Sequence, residues 1–297
     1  MSKGIRFVLK NCIFPNLIAF LSVVLITAVV FLGQKASAAA VSTQPGEVWT
    51  THPWLSMTAR FIGGAYSSVR GVQGWTEEGE LRRLGLPPQG TVILAFDPTD
   101  AKMAGVEGKG LNLILLYERD LGGVGGLEMP FLDPATLPFV ALRTMSKFSQ
   151  LDPENYSYYQ RRLAEFQARL DSTVLVGRQL LGSLKILDLC WEVGRWMQAA
   201  TGMTVSPPAE VKNSWAKGND METLILAVKE AQKQGWLILC DAWTPPGVAE
   251  VAMKYGNYMI LPVPSQDQDF FLYLYDLYLM VWNSVRLKGA EEGRASR

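Results

Sequence analysis

The chain has 297 residues, 48% hydrophobic and 19% charged, enough apolar material for one large or two medium globular units and too apolar for a disordered protein. Lysine plus arginine equals aspartate plus glutamate at 28 each, so no net charge draws it to nucleic acid, and no nucleic-acid partner is expected. A single histidine, His52, and only three cysteines leave little material for an imidazole-rich metal site or a zinc ribbon.

The N-terminus carries Lys3, Arg6 and Lys10, then an apolar run from Cys12 to Gly33 broken at Pro15-Asn16, then Ala36-Ser37-Ala38. A basic flank, a hydrophobic stretch and an A-x-A pattern predict a secretory signal peptide over 1–40. The run is also long enough to span a bilayer, so an uncleaved transmembrane helix anchoring the protein is the alternative. Basic residues before the run put the N-terminus in the cytoplasm and the rest in the periplasm or on the extracytoplasmic face of the membrane. Cys12 stands at the start of the hydrophobic run and not after it, so it does not have the place of a lipoprotein attachment site.

Gly46 to Gly64 reads as a short strand, a turn at His52-Pro53 and a helix closed by Gly63-Gly64. Ser67 to Val72 reads as a strand and Glu80 to Leu84 as a short helical stretch. Thr91 to Phe96 and Leu111 to Tyr117 are continuous apolar runs of the kind found in buried parallel strands, separated by a loop-rich segment. The glycines at 122, 123, 125 and 126 do not make a dinucleotide fingerprint, because Glu128 stands at the third glycine position and no amphipathic helix follows. A helix is expected over 137–149.

Leu151 to Leu181 is the longest helix signal after the N-terminal run. Asp152 offers an N-cap, Pro153 suits the first turn, and Glu154 complements the positive end of the helix dipole. Tyr159, Leu163, Phe166, Leu170 and Val174 recur at spacings of three and four, while Arg161, Glu165 and Arg169 lie on another face as i,i+4 pairs. Beyond it, strands are expected at Ser183 to Cys190, Trp236 to Cys240 and Tyr258 to Leu261. Helices are expected at Glu192 to Ala200, Asp220 to Gln234 and Phe270 to Leu287. The division that follows is an N-terminal α/β lobe over 46–150, a spine helix over 151–181, a C-terminal α/β lobe over 182–287 and a tail over 288–297.

Leu151-Asp152-Pro153-Glu154-Asn155, followed by YYQRRLAEFQARLD, resembles the segment that opens the long linking helix in the zinc and manganese solute-binding proteins of ABC transporters. Three further words are similar to that family: the strand ending Thr50-Thr51 with Ile62-Gly63-Gly64 after it, Phe131-Leu132-Asp133-Pro134, and the passage from Asp241 through Trp243-Thr244-Pro245-Pro246. The resemblance implies an α/β fold of two lobes, each with a mainly parallel sheet flanked by helices, joined by the spine. It also implies a partner ABC transporter permease, and a transition-metal ion as the transported ligand in place of a resident cofactor.

The family's ligand histidines are absent. The first would fall in the loop around Trp75. Met129 stands at the second, Cys190 or Trp191 at the third, and the loop Pro262 to Asp269 at the fourth. Ligands of such folds sit at the carboxyl ends of the strands, which gives Trp75, Met129, Cys190, Trp191, Asp241 and Trp243 as the expected cleft. Cys190, Met129 and Asp241 would make a softer metal site than zinc or manganese prefers. Cys190 and Cys240 end neighbouring strands, and three readings stay open for them: a disulfide, a shared metal, or two buried small hydrophobes.

Three roles therefore remain: a metal-uptake binding protein with a degenerate site, a cleft for an organic solute walled by Trp75, Trp191 and Trp243, and an accessory module whose cleft those tryptophans plug. An enzyme is not expected. The chain has no zincin motif or P-loop, and Asp133 and Asp152 have capping or turn roles.

Overall fold

The computed structural model describes residues 46–107, 110–120, 131–265 and 267–295, with side chains placed as far as Leu287. The N-terminal apolar run, the glycine-rich segment and Met129 lie outside the described residues. Among the described residues no helix is long and apolar enough to cross a membrane.

Two four-stranded parallel sheets carry the fold. The first has the order β2-β1-β5-β6, built from β1 (Gly46–Thr50), β2 (Ser67–Gly71), β5 (Val92–Ala95) and β6 (Asn112–Leu115). The second has the order β10-β9-β7-β8, built from β7 (Lys185–Asp188), β8 (Met203–Val205), β9 (Leu237–Asp241) and β10 (Tyr258–Leu261). Central strands with both faces covered read as unbroken apolar runs, and β9, Leu237 to Asp241, is buried throughout. The outer face of the first sheet packs a small cluster around Trp49, Val72 and Ile93. The outer face of the second packs Trp215, Leu224, Val228 and Val248. The inner faces of both drain into one continuous core that also includes the spine.

The spine helix runs over Tyr156–Leu181, and every residue of its expected apolar stripe is buried. It begins later than its sequence suggests. Asp152 closes the preceding helix, Leu137–Leu151, through its N–H to the Phe148 carbonyl, and a short 3-10 turn, Pro153–Asn155, intervenes. The Asp152 carboxylate accepts from Asn155 Nδ2 at 2.8 Å and from the Tyr159 hydroxyl at 2.9 Å instead of capping backbone amides. Glu165 pairs with Arg162 and Arg169, whereas Arg161 lies over the Tyr158 ring.

Arg162 also donates to the Phe61 carbonyl at 2.9 Å, satisfying the end of the helix Pro53–Gly63. At that end Gly64 has φ 51, and a side chain there would collide with the Tyr158 hydroxyl. The Ile62-Gly63-Gly64 word thus marks a close approach of the first helix to the spine. The closing helix, Phe270–Ala295, lies along the spine's other side, with Phe166 against Phe270 and Phe271 at ring distances of 5.9 and 4.9 Å. It continues past Leu287, where a tail was expected.

Two local expectations are corrected, and two short elements are added to those the sequence shows. Glu80 to Leu84 does not form a helical stretch. Its residues Leu81–Arg83 make β4, an antiparallel partner of β3 (Gln73–Trp75). The segment after Phe96 holds a helix, Pro98–Met103, whose N-cap is the Asp97 carboxylate accepting from Asp100 N. β8 and the helix Ala209–Ala216, both short, carry no periodic signal in the sequence.

Candidate functional site

The carboxyl ends of β1 and β9 face the junction between the sheets. On the first side, Thr50 and Thr51 are structural. Thr50 Oγ1 shares a hydrogen bond of 2.5 Å with Ser56 Oγ, and Thr51 Oγ1 donates to the Asp100 carboxylate. Burial pushes the Asp100 carboxyl above its usual range, against the hydrogen bonds from Thr51 and Phe96. His52 follows, and its Nδ1 accepts from Trp54 N at 3.3 Å as the cap of the first helix. Complete burial lowers the His52 pKa to about 3, so the ring is neutral at ordinary pH.

Around His52 the junction is aromatic. Phe131 stacks on it at 5.3 Å and 6°, and Trp75 meets it edge-on at 5.3 Å. Trp75 contacts Trp54 at 5.9 Å and Trp243 at 5.2 Å. Trp54, fully buried, also contacts Trp243 and Tyr273 at 5.6 Å each. Trp243 comes from the loop after β9 and Tyr273 from the closing helix, so rings of both halves meet. Trp54 Nε1 donates to Glu192 Oε2 at 3.1 Å, a polar tie across the same junction. Gly79, at φ 81, brings the turn between β3 and β4 onto Trp243, where a Cβ would lie 2.9 Å from Trp243 Cδ1. The ring nitrogens of Trp75 and Trp243 are buried with no hydrogen-bond partner among the described residues.

The second side is polar but closed upon itself. Asp241 Oδ2 accepts from the backbone N–H groups of Trp191, Glu192 and Val193 at 2.9, 2.8 and 3.1 Å, and Oδ1 accepts from Thr244 Oγ1 at 3.0 Å. Burial pushes its carboxyl up while these hydrogen bonds pull it down. Asp188 Oδ1 accepts from Cys190 N at 3.0 Å, and its Oδ2 accepts from Ser206 Oγ at 2.6 Å and lies 3.7 Å from Lys212 Nζ. Lys212, itself buried, donates to the Cys190 carbonyl at 2.7 Å. The acids of this side therefore bind their own loop.

The expected cleft residues divide accordingly. Trp75 and Trp243 come together. Trp191 does not join them; it packs against the outer cluster of the second sheet, under Lys212 Nζ at 5.7 Å. Cys190 and Cys240 are buried free thiols, so the disulfide reading is not realised in the structure. Burial, with Asp188 and Asp241 nearby, pushes the Cys190 thiol well up, and burial raises Cys240 to about 12. Both are protonated at neutral pH, whereas a metal takes the thiolate. Among the described residues no group of three or more His, Cys, Asp or Glu side chains is placed to hold a metal; Met129, the third member of the soft set, is outside them.

In the loop after β10, Asp269 caps the closing helix through Leu272 N at 3.0 Å, and Asp267 forms an ion pair with Arg60 at 3.3 Å. Sequence reasoning missed His52, Trp54, Phe131, Glu192 and Tyr273 as junction residues. The position of His52 and Trp54 directly after the first parallel strand was the available signal.

This architecture matches solved structures over most of its length. ZnuA aligns with a TM-score of 0.58 at 14% identity, covering 80% of this chain and 98% of that one. The chain has the two-lobed solute-binding-protein fold. The laminin-binding protein Lmb of Streptococcus agalactiae, described as bifunctional with adhesin and metal-transporting activity, aligns at 0.58 with 13% identity, over 81% and 99% of the two chains. The metal-dependent lipoprotein YcdH from Bacillus subtilis aligns at 0.54 with 13% identity, over 81% and 98%. No family model matches the sequence, and no curated protein does.

Proposed function

We propose that this chain is an exported solute-binding-type protein working beside an ABC permease, in which the metal site has degenerated into an aromatic seal. The observation that supports this reading is the unbroken contact of Phe131, His52, Trp75, Trp243, Trp54 and Tyr273 across the junction. Zinc binds through about four N, S or O donors. At this junction the one imidazole caps a helix, and the aspartates beside it anchor backbone amides. Such a protein serves as an accessory or interaction module at the extracytoplasmic face, or carries a solute other than zinc or manganese.

The test is thermal melting of the metal-free full chain in detergent with zinc, manganese and copper(I) in turn. A ligand bound only by the native state stabilises it by about 2.7 kcal/mol at a hundredfold excess over its dissociation constant. The expected result is an unchanged midpoint with each metal. A metal-specific rise that disappears in Cys190→Ala would replace the seal with a rebuilt soft-metal site.

A further inference from the structure

Beside the aromatic seal the two lobes leave a cavity of about 360 Å³, bounded by the first helix, the β3-β4 hairpin and the loop after β10. Its size falls within the ~300–1,000 Å³ of small-molecule sites. Met57, Trp75, Leu84 and Pro264 give it apolar walls, and Gly74 keeps the hairpin side thin, since a Cβ there would press on Leu84.

Three charged side chains reach it. Arg60 is committed: Nε donates to the Val69 carbonyl at 3.4 Å and Nη1 pairs with Asp267 at 3.3 Å. Arg82 and Glu77 are exposed, and neither makes an ion pair among the described residues. The cavity thus offers one uncommitted guanidinium, one uncommitted carboxylate and an indole wall. A dianion would meet Glu77 and a simple amine would meet Arg82; a zwitterion of apolar body satisfies both, with its carboxylate on the guanidinium fork.

We propose that this cavity binds a small zwitterion with an apolar body, of the chemistry of a free aromatic or aliphatic α-amino acid. The inference rests on the seal, because a metal carried at the junction would need Trp75 elsewhere. It adds the class of solute that the sealed protein carries.

Isothermal titration calorimetry of the full chain in detergent tests it with L-phenylalanine and L-leucine, against phenylacetate, phenethylamine and zinc. At least one amino acid binds, and the two analogues, each lacking one charge, bind about tenfold or more weakly than L-phenylalanine, the loss expected for one charge-assisted contact. Arg82→Gln and Glu77→Gln, both at exposed positions, each lower amino-acid affinity by about the same factor. No heat from either amino acid, or binding unchanged in Arg82→Gln, overturns the inference. Phenylacetate binding as tightly as L-phenylalanine also overturns it. Zinc-dependent heat instead sinks the seal itself, so the two failures are distinguishable.

Discussion

The two sides of the junction solve the same problem with opposite chemistry. Both lie at carboxyl ends of parallel strands, where backbone amides and loops converge and where ligands of such folds bind. On the β1 side the space is filled with rings: His52, Trp54, Trp75 and Phe131. On the β9 side it holds buried charge, Asp188, Asp241 and Lys212, turned inward onto the loop after β7. Donor atoms that could face a ligand are committed within the protein on one side and replaced by aromatic carbon on the other. On the proposed reading the fold keeps its architecture without a metal at this junction, because what it needs there is strand ends capped and covered.

Breaking the aromatic side should have the largest effect. Trp54→Ala removes a fully buried ring at the centre of the junction and is expected to cost about 3–5 kcal/mol in urea unfolding. A loss under 1 kcal/mol would mean the rings touch without supporting the fold. On the polar side, Asp241→Ala strands three backbone N–H groups and should cost about 3 kcal/mol, with Asp241→Asn recovering part of it. Full recovery with Asn would show that charge at this position adds nothing.

Acid should sharpen the contrast. His52 is held neutral down to about pH 3, whereas in the unfolded chain it titrates near its ordinary value of 6.5. Above pH 6.5 both states are neutral and the seal has its full stability. Between pH 6.5 and 3 the unfolded state binds a proton the folded state refuses, so stability falls by about 1.4 kcal/mol per pH unit. His52→Asn keeps a capping side chain and removes the titration. Its unfolding free energy should fall less steeply over that window, and an identical slope would place the acid sensitivity elsewhere. The smallest effect concerns the thiols: with Cys190 and Cys240 free, adding reductant should leave the melting midpoint in place.

Much of the fold is legible in the sequence, because buried parallel strands and a long amphipathic spine advertise themselves locally. The stripe from Tyr159 to Val174 needed only its own spacing to be read. The hairpin strand Leu81–Arg83 did not, since it is short and polar and is held by pairing with Gln73–Trp75. The site was less legible still. Trp75 and Trp243 were found from their places after strands, but Trp54 and Tyr273 meet across most of the chain's length. The side chain of Trp191 leaves the junction although its neighbour Cys190 borders the polar cluster. No local pattern tells which way a loop side chain turns. The role of Asp241 as an anchor for three amides becomes visible only when the loop after β7 is brought beside β9.

The central claim, that the protein's own rings occupy the place between the lobes, is tested most directly by crystals of the protein grown with zinc and measured at the zinc absorption edge. The seal predicts Trp54, Trp75 and Trp243 in mutual contact and no anomalous peak among His52, Cys190 and Asp241. A zinc peak there, with His52 turned off the helix N-terminus to meet it, would contradict the account.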